Sequence, residues 1–117
     1  MIEDLFKNGE IIHSPLFKVV WRRSTVPLAF PAQVAISVPK KKFRLAVERN
    51  LIRRRIREAY RRNKQYLYDE LKTHGCQIVF IIIYRGKNIP DYSTVEKNIR
   101  EMNTSLVTHA QKKLKLS

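Results

Sequence analysis

Apolar and polar positions along the chain predict a short helix and a short strand at its start. Ile2, Leu5 and Phe6 follow the i, i+3, i+4 spacing of a helix, and Gly9 occupies a position where such a helix ends. A helix this short is marginal by itself, so we expect it to dock on the rest of the domain. Residues 11–13 then predict a brief strand.

Three further segments predict strands. Residues 16–22 and 33–38 show the period-two alternation of side chains that is typical of strands. Pro27 and Pro31 interrupt the chain between them, and because this connection is short we expect the two strands to pair antiparallel. Residues 77–84 are nearly all apolar and β-branched, which is typical of a central strand with both faces covered.

A long amphipathic helix is predicted over residues 45–73, and Gly75 ends it. Its core stripe is expected to consist of Ile52, Ile56, Ala59, Tyr66 and Leu67. One polar flank of this helix contains Asn50, Arg53, Arg54, Arg57 and Arg61. The opposite flank contains Arg55 and Arg62.

A second amphipathic helix follows near the end of the sequence. Residues 93–96 have the pattern of a capping box, and we expect the helix to begin there. Its apolar stripe is formed by Val95, Ile99, Met102, Leu106 and Ala110. The resulting order, α-β-β-β-α-β-α, predicts one domain over residues 1–117. Its class is α/β, an α+β sandwich in which helices cover a small mixed sheet.

Charge adds a functional prediction to this fold. The 117 residues carry a formal net charge of +14, and residues 40–64 hold twelve lysines and arginines against two glutamates. Like charges four residues apart, as at Arg49, Arg53 and Arg57, cost a helix about 0.2–0.5 kcal/mol per pair, and a polyanion would neutralise them. Eight of the twelve are arginines, whose planar guanidinium groups suit bidentate phosphate contacts. The sequence therefore predicts nucleic-acid binding.

Catalytic and metal-binding patterns are not evident in the sequence. Cys76 is the only cysteine, which excludes an internal disulfide and suits the reducing cytoplasm. The three histidines show no metal-ligand spacing, and we find no nucleophile–base pair or glycine-rich phosphate loop. Residues 1–9 lack the apolar core of a signal peptide, and no apolar run is long enough to span a bilayer. We therefore expect no catalytic residue, no metal site and no membrane association, so that a partner supplies any reaction.

Two stretches resemble a known family. Residues 33–41 (QVAISVPKK) and 46–60 (AVERNLIRRRIREAY) are similar to the strand lead-in and arginine-rich helix of the bacterial ribonuclease P protein component. The element order also looks like that of the family over nearly the whole chain. The resemblance implies the non-catalytic protein subunit of an endoribonuclease that removes the 5′ leader of precursor tRNA. It implies that the RNA subunit performs the hydrolysis with bound magnesium, and that the β-α-β crossover is left-handed.

The resemblance and the charge pattern together nominate two sets of site residues. RNA contact is expected at Lys40, Lys41, Lys42, Arg44, Arg49, Asn50, Arg53, Arg54, Arg57 and Arg61. A cleft for the 5′ leader is expected at Phe6, Phe17, Val19, Trp21 and Ile36. Aromatic side chains beside basic grooves hold single-stranded nucleic acid, but their alternation on a strand is equally typical of core packing. The chain departs from the family pattern at Leu51, which replaces an arginine, and at Pro39, which replaces a serine.

Three other functions are open from the sequence alone. A ribosomal or ribosome-assembly protein would bind rRNA through the same basic face. A DNA-binding module would place the arginine-rich helix in a major groove, but a second short helix in helix-turn-helix spacing is missing. A membrane-surface role would need an exposed apolar face on that helix, and the sheet requires its apolar stripe. The favoured interpretation has ribonuclease P RNA and precursor tRNA as partners.

Overall fold

The computed structural model describes residues 2–116, with side chains from residue 5 to residue 112. The elements are helix α1 (Ile2–Asn8), strands β1 (Glu10–His13), β2 (Phe17–Arg23) and β3 (Ala32–Ser37), helix α2 (Ala46–Thr73), strand β4 (Ile78–Tyr84) and helix α3 (Tyr92–Leu116). The predicted α+β class and the predicted order of elements are both confirmed.

The four strands form one mixed sheet in the order β1-β2-β4-β3. Strand β4 pairs antiparallel with β2 and parallel with β3, and β1 pairs with the other edge of β2. The prediction that β2 and β3 pair with each other is therefore wrong. Strand β4 lies between them because it is apolar on both faces, and both faces of a strand are covered best at the centre of a sheet.

The proline-containing connection from β2 to β3 crosses the start of β4 and does not form a hairpin. Gln77, just before β4, holds this connection. The Leu28 amide donates to Gln77 Oε1 over 3.0 Å, and Gln77 Nε2 donates to the Leu28 carbonyl over 2.9 Å. The Ser24 amide donates to the Gln77 carbonyl over 2.8 Å. These bonds keep β2 and β3 one strand apart, which leaves the space that β4 fills.

Helices α2 and α3 pack on one face of the sheet and enclose the larger core. The buried side chains of α2 are Ile52, Ile56, Ala59, Tyr60, Leu67 and Leu71. Tyr66 is 47% exposed, so that part of the predicted stripe is wrong. The buried stripe drifts around a helix of 28 residues, and by its sixth turn the position of Tyr66 no longer points inward. All five predicted apolar positions of α3 are buried: Val95, Ile99, Met102, Leu106 and Ala110.

Helix α2 ends where predicted, at a glycine in the left-handed region. Gly75 has a φ of 61°, and the hydrogen bonds around it form a Schellman motif. The Cys76 amide donates to the Leu71 carbonyl over 2.9 Å, and the Gly75 amide donates to the Lys72 carbonyl over 3.1 Å. The last carbonyls of the helix are satisfied in this way.

Helix α3 begins earlier than the predicted capping box. The Asp91 carboxylate accepts the Thr94 amide over 2.8 Å, so Asp91 is the N-cap and Ser93 lies within the first turn. Hydrogen bonding by the Thr94 side chain, and then by the Thr94 amide, holds the pKa of Asp91 below its usual range. Asp91 takes the cap position because a carboxylate is stabilised by the positive end of the helix, where a serine hydroxyl brings no charge.

The other face of the sheet carries a smaller apolar cluster beneath α1. Leu5 of α1 packs with Val20 of β2 and with Val79 and Ile81 of β4. Gly9 permits this close approach, because a Cβ there would overlap the Leu5 carbonyl oxygen and the Val20 side chain. Two long helices therefore cover one face of the sheet, whereas the short α1 and part of the β2–β3 connection lie on the other.

Candidate nucleic-acid interface

The lysine run after β3 is held in an exposed turn, which we call the lysine turn (residues 40–42). The Pro39 carbonyl accepts hydrogen bonds from the amides of Lys42, at 3.3 Å, and Phe43, at 3.2 Å. Phe43 is buried, and its ring centre lies 5.8 Å from that of Tyr84. This aromatic contact anchors the turn to the core, while the three lysines stay exposed to solvent.

Arg49 closes the start of α2. Its Nη1 donates to the Phe43 carbonyl over 2.8 Å and to the Arg44 carbonyl over 2.9 Å. Leu45, which precedes the helix, makes no side-chain capping bond. Arg49 therefore fixes the lysine turn against the first turn of α2, and the remaining N–H donors of its guanidinium group are left for other contacts.

Six side chains of α2 line a shallow groove of about 640 Å³, which we call the α2 groove: Val47, Asn50, Leu51, Arg53, Arg54 and Arg57. Arg53 Nη1 donates to Asn50 Oδ1 over 3.2 Å. Within the described side chains, neither Arg54 nor Arg57 forms an ion pair. The groove is a favourable surface for a phosphate backbone, because its guanidinium charges are not offset.

Arg61 differs from the groove arginines, although the sequence placed it on the same flank. Arg61 and Arg62 both donate to Glu58, with 3.0 Å between Arg62 Nε and Glu58 Oε1. The hydrogen bond from Arg61, more than that from Arg62, holds the pKa of Glu58 below its usual range. Glu58 thus offsets the charge at the end of the arginine run, and the net positive charge concentrates before it.

Arg55 and Arg62 lie on the opposite flank of α2, where the helical wheel put them. Arg55 Nη1 donates to the Pro90 carbonyl over 2.5 Å. The Arg62 guanidinium lies 5.8 Å from the centre of the Tyr92 ring. Both arginines hold the start of α3 against α2, so they are structural and do not line the α2 groove.

The structure does not bring the five predicted cleft residues together. Phe17, Val19 and Trp21 are 0%, 1% and 1% exposed, in the larger core beneath α2 and α3. Ile36 packs against the same core, whereas Phe6 is 53% exposed on α1, which docks on the opposite face. The predicted grouping is wrong because the large side chains of β2 turn towards the two long helices, where most apolar surface is buried.

The opposite face of the sheet carries a different set of residues. The strand register aligns one row of four residues: Ile11, Val20, Ile81 and Ala35. The next row consists of His13, Lys18, Ile83 and Ser37. We call this second row, together with Arg85, the basic row. Arg85 Nη1 lies 2.9 Å from His13 Nδ1, and Lys42 Nζ donates to the Arg85 carbonyl over 3.1 Å. Basic groups therefore continue from this face to the lysine turn. Sequence reasoning missed this row, although Lys18 and Arg22 marked the side of β2 that is not core.

Neither a metal site nor a membrane span is found within the described residues. They contain no group of three or more His, Cys, Asp or Glu side chains that could hold a metal ion. None of the helices, as far as the structure describes them, is long and apolar enough to cross a membrane. Cys76 is buried, and this burial raises the pKa of its thiol.

Both the sequence and the fold match known proteins. The family model described as Ribonuclease P matches residues 1–107. The ribonuclease P protein component of Porphyromonas gingivalis is 35% identical over 106 residues, covering 91% of this chain and 75% of that protein. The corresponding protein of Chlorobium phaeobacteroides is 31% identical over 112 residues, covering 87% of this chain and 77% of that protein.

A solved structure agrees with the fold. The RNase P protein from Thermotoga maritima superposes with a TM-score of 0.67 at 24% identity, covering 86% of each chain. The family match spans most of the sequence, and the relatives in two organisms exceed 30% identity over most of their own lengths. This chain therefore belongs to the ribonuclease P protein family.

Proposed function

We propose that the chain binds ribonuclease P RNA and assists it in removing the 5′ leader of precursor tRNA in the cytoplasm. The α2 groove carries this proposal, because Arg54 and Arg57 present guanidinium charges that no described acid offsets. Guanidinium groups spaced along one helix suit a phosphate backbone, whose charges also repeat along its length. Hydrolysis is assigned to the RNA subunit with magnesium, and this chain binds and positions.

The lysine turn extends the same RNA surface. Residues 40–42 are exposed and lie directly before α2, and Arg49 holds the turn against the helix through the Phe43 and Arg44 carbonyls. Arg44 is exposed at the junction. We assign phosphate contacts to these lysines and to Arg44, with Arg49 fixing their position.

The 5′ leader of precursor tRNA is assigned to the sheet face that carries the basic row. Lys18 and Ile83 are half-buried neighbours there, with His13 and Arg85 at the rim. A surface that mixes apolar side chains with cations is suited to single-stranded nucleic acid, whose bases and phosphates need different contacts. The basic row also lies next to the lysine turn, so one RNA complex could engage both.

Reconstitution tests the proposal. The purified chain is mixed with a bacterial ribonuclease P RNA at low magnesium, and cleavage of a precursor tRNA is followed. We expect stimulation by the wild type and its loss in Arg53→Ala/Arg57→Ala. The slope of log affinity against log salt should fall by about 0.7–0.9 for each phosphate contact removed.

A matched control removes two basic residues that lie outside the α2 groove and the lysine turn. Lys72, in the last turn of α2, and Lys97, on α3, are both exposed. Lys72→Ala/Lys97→Ala removes the same charge as the test variant but from outside the proposed RNA surface, so it should retain stimulation. Equal loss in both double variants would overturn the proposed face. Binding without stimulation by the wild type would instead favour the rRNA-binding alternative.

A further inference from the structure

Two apolar side chains line the α2 groove beside its arginines. Val47 and Leu51 are four residues apart on α2 and line the groove with Asn50 and the three arginines. Val47 is 71% exposed and Leu51 is half-buried, and neither belongs to the core clusters on the two faces of the sheet. We call this pair the apolar shelf.

The apolar shelf offers a phosphate neither a hydrogen-bond donor nor a positive charge. Val47 and Leu51 carry no donor, whereas Arg54 and Arg57 in the same groove present guanidinium groups that form no ion pair with any described side chain. An apolar pair next to guanidinium groups suits a ligand that has an apolar face with negative charge beside it. A nucleotide within an RNA strand has this form, because its base is flanked by two phosphates.

Base pairing limits which nucleotides fit. In a paired A-form helix the base faces are stacked inside and only edges and backbone are accessible, whereas an unpaired base can be splayed out onto a protein surface. Asn50 adds a contact for such a base: its Oδ1 accepts from Arg53, which leaves its Nδ2 to donate to an acceptor on the base edge.

We propose that the apolar shelf receives the face of one unpaired nucleotide of the bound RNA, with the adjacent phosphates held by Arg54 and Arg57. This inference rests on the proposed RNA-binding function and adds what that function leaves open, namely that α2 selects an unpaired nucleotide. The shelf contributes affinity that does not depend on counterion release, unlike the arginines around it.

Binding measurements against salt separate the two contributions. With a bacterial ribonuclease P RNA, Leu51→Ala should weaken binding about tenfold, as expected from losing contact with about two methylene groups, and leave the salt slope unchanged. Arg54→Ala should lower the salt slope by about 0.7–0.9. Val26→Ala is the control, because Val26 is also exposed, at 61%, but lies in the β2–β3 connection.

A pair of model RNAs tests the selection itself. One is a fully paired duplex, and the other is the same duplex with a single bulged nucleotide. The wild type should prefer the bulged RNA, and Leu51→Ala should bind both equally. Circular dichroism of each variant checks that α2 is intact.

The possible failures are distinct. Wild-type affinity in Leu51→Ala, with a reduced slope in Arg54→Ala, would overturn the shelf and leave the proposed function standing. Equal loss of affinity for both RNAs in Leu51→Ala would also overturn it. Self-association of the free chain that Leu51→Ala abolishes would assign the shelf to a second copy. No binding by the wild type would overturn both proposals.

Discussion

Each arginine of α2 differs from its neighbours in the group that its guanidinium contacts. Arg49 donates to main-chain carbonyls of the preceding loop, Arg55 donates to the Pro90 carbonyl, and Arg61 is held by Glu58. A guanidinium already bound to protein has fewer donors left for phosphate. The residues with the most capacity for RNA are therefore Arg54 and Arg57, which the run of similar letters does not distinguish from the others.

Arg49 provides a prediction at this scale. Arg49→Ala should lower the free energy of unfolding by about 1–2 kcal/mol, because the carbonyls of Phe43 and Arg44 lose a charged donor. Arg54→Ala, which removes the same side chain from an exposed position, should change it by less than about 0.5 kcal/mol. Urea denaturation followed by Trp21 fluorescence measures both. Equal effects would show that the Arg49 bonds do not stabilise the loop.

At the scale of elements, α2 presents different faces along one helix. One face packs on the sheet and α3, one flank holds Pro90 and Tyr92 at the start of α3, and the α2 groove faces solvent. These faces keep their positions relative to the sheet because both ends of the helix are fixed. Arg49 closes its start and the Schellman motif at Gly75 closes its end.

Gly75 tests the end of α2. A Cβ at this position would meet nothing within 4 Å, so the cost of Gly75→Ala comes from the φ of 61° alone. We expect a loss of about 1–2 kcal/mol in the free energy of unfolding. Gly75→Asn should cost less, because asparagine tolerates the left-handed region. Thermal unfolding of the three proteins should give this order, and an unchanged alanine variant would contradict it.

At the scale of the whole molecule, the sheet separates two surfaces of different character. The face beneath α2 and α3 is filled by aromatic and aliphatic side chains, whereas the other face carries α1, the smaller cluster and the basic row. The two long helices are also tied to each other by polar contacts. Asn63 Nδ2 donates to Glu96 Oε2 over 3.1 Å, and Arg100 Nε donates to Asn63 Oδ1 over 3.0 Å.

Glu96 makes this helix–helix contact sensitive to acid. The hydrogen bond from Asn63, with smaller contributions from Tyr92 and Arg100, holds the pKa of Glu96 below its usual value of 4.5. A lowered pKa in the folded state stabilises the fold above pH 4.5, and this contribution is lost as the pH falls through the folded-state pKa. Glu96→Gln should therefore flatten the acid limb of the stability profile.

The measurement is urea denaturation at a series of pH values descending from neutral through 4.5. Glu101→Gln, at an exposed position on the same helix, is the control and should keep the wild-type profile. Some acid sensitivity should persist in Glu96→Gln, because hydrogen bonds also lower the pKa values of Glu58 and Asp91. Parallel profiles for wild type and Glu96→Gln would refute the assigned contact.

Much of this fold was predictable because the signals were local. Period-two spacing, helical spacing and the apolar run of residues 77–84 located the elements, the glycine at position 75 marked the end of α2, and the charge of residues 40–64 indicated a polyanion partner. Two of the errors involve choices between local alternatives. Asp91 and Ser93 both suit an N-cap, and Tyr66 lies at the margin of a stripe that drifts.

The sequence by itself determined the element types, the amphipathic faces of the two long helices and the excess of arginine on α2, since these depend on side chains within a turn or two of one another. Only the tertiary structure decided which strands pair, because β4 enters between β2 and β3 from a distant part of the chain. It likewise decided that Phe17, Val19 and Trp21 are core, since burial depends on which face the helices cover. The partners of individual arginines were decided at the same level, because their contacts lie in the loop before α2, at the start of α3 and around Glu58.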